Sequence, residues 1–474
     1  MENKTVASSP FAIKNIRLFI AFRVFFNARF YYPVFTILFL DFGLSIEQFA
    51  LLNMVWAITI VCAEVPSGAL ADILGRKNLI ITTSLLMVLE LALLAFVPLG
   101  NGTLIFWAFL FNRILSGLAE AMASGADEAI AYDSLVEGGI QDAWPKVLSL
   151  QMRVRSFASI ATMTLGAFAY DPKAMNAVLS WCGSDHILDQ QTTMRFPIYL
   201  TLVLAIFATI TAFKMVEAAP EKTTTRCNTR AAFKKTMEAG KWILRTPFAL
   251  VIILFGMYFD HILRMIVTMT SQYFRLINLP EASFGIIGSM IALLGLVTPK
   301  IAEYMAEHYS PKTNMLIIFA INMFGLFGLT GFYPYWGLIP VALIFIGLTF
   351  VSFFTSHYLN KITESSQRAT VLSFKGLAFN LAYGFIGLTF ATLIATLKQE
   401  NVTLHPGWTA EQVANLAFID GIGYFPGYAI VGIILVISFS AWHLKGRNIK
   451  ELRPIPAQSD QATSSEPPSV KQHK

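Results

Sequence analysis

Four arginines sit inside long apolar runs: Arg23 and Arg29 in the first, Arg113 in the fourth and Arg264 in the seventh. Holding a guanidinium at mid-bilayer costs about 2.5–3.5 kcal/mol on insertion scales, so each needs a partner or a wet cavity. A guanidinium also grips carboxylate or phosphate through two parallel hydrogen bonds, which suits these positions to an anion. Proton chemistry would come from the acids and the imidazole on the same runs: Glu120, Asp127 and Glu128 in the fourth, Asp260 and His261 in the seventh. Arg113, Glu120 and Asp127 recur every seven residues, which places all three on one face of an unbroken helix. Asp260 and Arg264 are four apart and can pair with each other.

Each of these has a plainer alternative. Arg23 is close enough to the start of its run to snorkel to the surface. Arg29 is too central for that, which favours a cavity role. Asp260 and Arg264 fit a structural ion pair as well as a functional one. Asp127, Glu128 and Asp133 approach the end of the fourth run, where solvation or gating competes with proton carriage. Glu64 and Glu90 lie on runs expected to pack peripherally or between halves, and Lys375 is expected to snorkel.

Such side chains must be positioned by membrane helices. Of 474 residues, 55% are hydrophobic and 14% charged, against about 25% charged in soluble domains. Forty phenylalanines and a mean hydropathy of +0.59 rule out a water-facing globule. At about 20 apolar residues per crossing, the fold class is an all-α membrane protein with twelve transmembrane helices. They are predicted near 16–40, 46–71, 78–98, 103–131, 148–170, 196–214, 247–273, 282–305, 313–332, 337–359, 371–397 and 422–443. The first run far exceeds the roughly 7–15 residues of a signal-peptide core, so it is expected to stay as a helix.

Basic residues then set the orientation. With both ends on one side, the loops and tails of that side hold roughly 22 lysines and arginines and the opposite loops roughly 4, a positive-inside pattern that makes both termini cytoplasmic. The loops 171–195 and 398–421 fall outside. The predicted organisation is a cytoplasmic tail (1–15), a six-helix half (16–214), a basic cytoplasmic linker (215–246), a second six-helix half (247–443) and a largely disordered tail (444–474) rich in Pro, Ser and Gln. Two six-helix halves of similar length are what a parallel structural repeat produces.

Gly68-Ala69-Leu70-Ala71-Asp72-Ile73-Leu74-Gly75-Arg76-Lys77, between the second and third helices, resembles the signature loop of the major facilitator superfamily; Ile73 stands where that family often has a basic residue. Arg113-Ile114-Leu115-Ser116-Gly117-Leu118-Ala119-Glu120-Ala121 resembles the family's fourth-helix pattern. The Gly-Pro motif of many of its antiporters is missing from 159–170. The resemblance implies two pseudo-repeated halves around a cavity lined by helices one, four, seven and ten, and a latch at Gly68, Asp72, Gly75, Arg76 and Lys77. Asp72 would pair with a neighbouring helix end.

The expected function is secondary transport by alternating access, with a proton, or else sodium, as coupling ion. Arg29, Arg113 and Arg264 are the expected substrate contacts. Glu120, Asp127 and Asp260 are the expected proton carriers. The solute is read as a small organic anion of carboxylate type, including polycarboxylates and carboxylate chelators. Alternatives are efflux of lipophilic or cationic compounds by proton antiport, and a transporter-like sensor that moves nothing. A monomer in a bacterial-type inner (plasma) membrane is expected. No cofactor is called for: there is no Gly-xxxx-Gly-Lys-Ser/Thr loop for ATP, no zinc-spaced His pair and no Gly-x-Ser-x-Gly elbow. The three cysteines, 62, 182 and 227, form no CxxC pair. The charge of +6 reads as topology, with no nucleic-acid partner.

Overall fold

A computed structural model describes residues 9–123, 126–217, 229–363 and 365–444. Among these residues there are eighteen α-helices and no strand. In the first half they are α1 (Lys14–Asn27), α2 (Phe35–Asp41), α3 (Ile46–Leu74), α4 (Arg76–Phe96), α5 (Gly102–Ala123), α6 (Ala126–Glu137), α7 (Trp144–Tyr170), α8 (Pro172–Trp181), α9 (Gln190–Thr193) and α10 (Phe196–Lys214). After α11 (Thr229–Arg245) come α12 (Pro247–Thr268), α13 (Thr270–Leu276), α14 (Ser283–His308), α15 (Pro311–Leu329), α16 (Leu338–Ile362), α17 (Ser365–Leu404) and α18 (Ala410–Leu444). Ten of the helical segments are long and apolar enough to cross a membrane. The broken pair α1–α2 and the 27-residue α7 supply the other two of twelve crossings.

Two crossings differ from expectation. The first crossing is not one helix over 16–40: it unwinds at Ala28–Tyr31 and passes through a 3-10 turn at Tyr32–Val34. Pro33 contributes to this, because it has no amide hydrogen to donate to the Arg29 carbonyl four residues back and its ring would clash there in an unbroken α-helix. The fourth crossing runs over α5 and α6, and residues 124–125 between them lie outside the described residues. The last crossing starts at Ala410, not 422, and the loop before it is short. There Thr409 and Gln412 close a capping box, the Thr409 amide donating to Gln412 Oε1 (2.9 Å) and the Gln412 amide to Thr409 Oγ1 (3.2 Å). The predicted outer loop 171–195 holds α8, capped by Asp171, and the linker holds α11. Residues 1–8 of the first tail, 218–228 of the linker and 445–474 of the last tail lie outside the described residues.

The halves meet along two seams. Along one, α3 packs on α17, with Gly387 against the Ala50 carbonyl. Along the other, α7 packs on α14: a Cβ on Gly285 would sit 2.1 Å from the Met163 carbonyl oxygen, so only glycine allows this approach. Nearby, Thr164 and Ser289 hydroxyls are 3.1 Å apart. At its other end the second seam parts, and residues 152–157 of α7 are exposed on every side, as are Leu296 and Val297 of α14. The molecule is therefore sealed on the face opposite the chain ends and splayed on the face that carries them.

Candidate functional site

Between the halves lies a cavity of about 350 Å³. It is built where the broken helices α1–α2 and α12–α13 face α5 and α17, so unwound backbone and mid-helix polar groups point into one space. Arg29, Arg113, Glu120 and Arg264 line it, together with Ser116, Thr268 and aromatic residues including Tyr32, Trp56 and Tyr383. Phe274 and Phe284 cover it toward the sealed face, and Glu120, two turns farther along α5, is exposed toward the splayed face.

The three arginines differ in their partners. Arg29 Nη1 donates to Glu90 Oε1 at 2.7 Å, and both residues are buried. The same nitrogen reaches Tyr31 Oη at 3.3 Å. Arg264 pairs with Asp260, donates to Asn380 Oδ1 at 2.8 Å and lies over the Tyr383 ring at 5.0 Å. Arg113 bonds only to Asn112 Oδ1, through Nε (3.0 Å) and Nη2 (2.9 Å), and has no carboxylate partner among the described residues. Glu120 likewise has no hydrogen bond or ion pair among them.

Arg29, Arg113, Glu120 and Arg264 are thus brought together, and Asp260 stands behind Arg264. Asp127 is elsewhere: at the start of α6 it is buried against Arg23 Nε at 2.6 Å, with Glu128 also pairing to Arg23. His261 faces Met257 and Tyr428 Oη, 2.9 Å from each, and does not line the cavity. Asn112 is the residue the sequence reading missed, and Glu90, expected only to pack peripherally or between halves, is the partner of Arg29. Glu90 is separated from Arg29 by 61 positions, and nothing in the local pattern links them.

The sequence matches the Major Facilitator Superfamily over residues 17–387. The chain belongs to that superfamily. No curated protein matches it in sequence. Among solved structures its fold is similar to that of a bacterial homolog of the human lysosomal transporter Spinster, inward-facing and unoccupied, at 12% identity and TM-score 0.67, covering 93% of this chain and 98% of that one. It is also similar to the nucleoside transporter NupG (14%, 0.59, covering 89% and 98%) and to a D-xylose–proton symporter (12%, 0.57, covering 88% and 96%).

The superfamily's signature loop has a defined setting here. Gly75 has φ +82° and ends α3. The amides of Arg76 and Lys77, which open α4, donate to the two oxygens of Glu217 at 2.9 and 2.7 Å, as an acid at a helix N-terminus should. Arg76 also pairs with Asp133 of α6. The loop is tied to the ends of the fourth and sixth crossings, all within the first half. Gly68 and Asp72 lie in the last turns of α3, and their side-chain surroundings, with the pairing expected of Asp72, fall outside what the structure describes.

Proposed function

We propose that this superfamily member is a secondary transporter that works by alternating access and carries a small organic anion together with a proton. One observation carries this reading: Arg113 and Glu120 line the same cavity from the same helix, and neither has an oppositely charged partner among the described residues. The charges of Arg29 and Arg264 are answered by Glu90 and Asp260. With Glu120 ionised, the lining and these partners sum to zero; with Glu120 protonated, Arg113 leaves one net positive charge. Proton at Glu120 and anion at Arg113 therefore favour each other, and linkage makes that coupling reciprocal. Asp127, held by Arg23, and Asp260, held by Arg264, serve better as gating or structural charges than as carriers. Gly68, Asp72, Gly75, Arg76 and Lys77 act as a conformational latch that binds no solute. The splayed face is cytoplasmic on the positive-inside pattern, which makes this the inward-open state of a bacterial-type inner-membrane protein with both termini inside.

The test is uptake in reconstituted vesicles. Organic anions are expected to accumulate under an imposed pH gradient and not under a sodium gradient. Glu120→Gln should abolish accumulation while leaving anion exchange intact, because exchange moves no net proton. Undiminished gradient-driven accumulation by Glu120→Gln would refute the coupling role. The aromatic wall favours a second reading, export of a lipophilic compound by proton antiport. Under it, transport would survive Arg113→Gln.

A further inference from the structure

Asn112 is 1% exposed and precedes Arg113 in α5. Its Nδ2 donates to the Glu90 carbonyl at 3.0 Å, which fixes the amide and turns Oδ1 toward the arginine. Oδ1 then takes the Nε–Nη2 edge of the guanidinium. The guanidinium carbon lies over the Phe35 and Phe39 rings, 5.3 and 5.4 Å from their centroids. One edge is occupied and one face is covered. The Nη1–Nη2 edge remains, and it has the fork geometry that pairs with two oxygens of a carboxylate.

The charge of the site is equally restrictive. Three arginines line the cavity, but Glu90 and Asp260 already neutralise two of them. A second negative charge on the solute would be desolvated with no further free cation among the described residues that line the cavity, which is unfavourable away from water. About 350 Å³ lies at the small end of ligand-binding cavities, and Tyr32, Trp56 and Phe345 give it apolar walls. We infer that Asn112 is a positioning residue that presents the Nη1–Nη2 edge of Arg113, and that the solute is a monocarboxylate with an apolar, ring-sized body. This rests on the anion reading above and narrows it by excluding polycarboxylates.

Binding to the purified full-length protein tests it with matched probes: 3-phenylpropionate (one charge), phenylsuccinate (two), 3-phenylpropionamide (none) and 3-phenylpropylamine (positive). The monoanion is expected to bind about tenfold to a hundredfold tighter than the dianion or the amide, the worth of one charge-assisted bond. Asn112→Asp keeps an acceptor at Oδ1 but neutralises Arg113. It should lose that same factor for 3-phenylpropionate and little for the amide, whereas a residue that merely packs would weaken both alike. Asn112→Ala removes the acceptor without adding charge, and should weaken the acid while keeping the preference for one charge over two. Equal or tighter binding of phenylsuccinate by the wild type overturns the inference and leaves the anion reading standing. So does an Asn112→Asp protein with undiminished affinity for the acid. Binding of the amine alone overturns both.

Discussion

Removing the Arg275 guanidinium should open the sealed face. Arg275 belongs to the second half and clasps Asp41 of the first with two hydrogen bonds of 2.8 Å each, while also holding Glu281 at 2.6 Å. Tyr170 and Gln190 donate to the same Asp41 carboxylate. Charge-assisted bonds contribute about 1.5–3 kcal/mol each when shielded, but the Arg275 side chain is 30% exposed, so solvent screening brings the clasp as a whole to about 1.5–3 kcal/mol. That is a shift of roughly tenfold to a hundredfold toward the state open on that face. Arg275→Gln also leaves Asp41 and Glu281 to repel each other. Arg275→Lys, which keeps charge without the fork, should fall between. The assay is a distance distribution between spin labels at native Cys182, exposed on the sealed side of the first half, and at Trp336→Cys on the second half, with the other two cysteines replaced by serine. Arg275→Gln should populate a longer distance. A distribution identical to that of the unsubstituted pair would refute the clasp, whatever happened to transport.

Lys398→Ala breaks the 2.7 Å pair with Glu47 across the other seam, but both are partly exposed, so the same distance should shift by an equilibrium change of about 1 kcal/mol or less. Gly285→Ala drives a methyl into the Met163 carbonyl, and should disfavour the sealed state even with every charge intact, read as the longer distance in that assay. Glu217→Ala removes the cap of α4 and should lower the thermal unfolding midpoint of the purified protein through a loss of about 1 kcal/mol, with binding of 3-phenylpropionate unchanged. Cys182 should react with an impermeant maleimide from outside intact cells; protection there would invert the proposed orientation.

Much of the scaffold was legible because each crossing announces itself as about 20 apolar residues, and because Arg29, Arg113, Glu120 and Arg264 stand out chemically against such a background. What stayed hidden were pairings between elements. Glu90 and Asp41 look peripheral in the sequence, and become partners of Arg29 and Arg275 only when distant helices pack. Asn112 looks like a polar tolerance next to an arginine. Two signals were present and unread: Pro33, which helps unwind the first crossing beside Arg29, and the Thr409–Gln412 spacing, which starts the last helix twelve residues before its apolar core. Both act through backbone amides, to which a reading of hydrophobicity is blind.

The contact of Gly285 with the Met163 carbonyl has a consequence for the membrane as a capacitor. A barrier closed by long side chains leaves gaps that fluctuating water can fill, and a file of water conducts protons. Here two helix backbones touch, and the neighbouring hydroxyls of Thr164 and Ser289 satisfy each other. Moving one charge through 100 mV is worth about 2.3 kcal/mol, and a proton leak at this seam would dissipate that on every passage. The missing Cβ of one glycine thus acts as electrical insulation, letting a cavity open to one compartment hold off the voltage of the other.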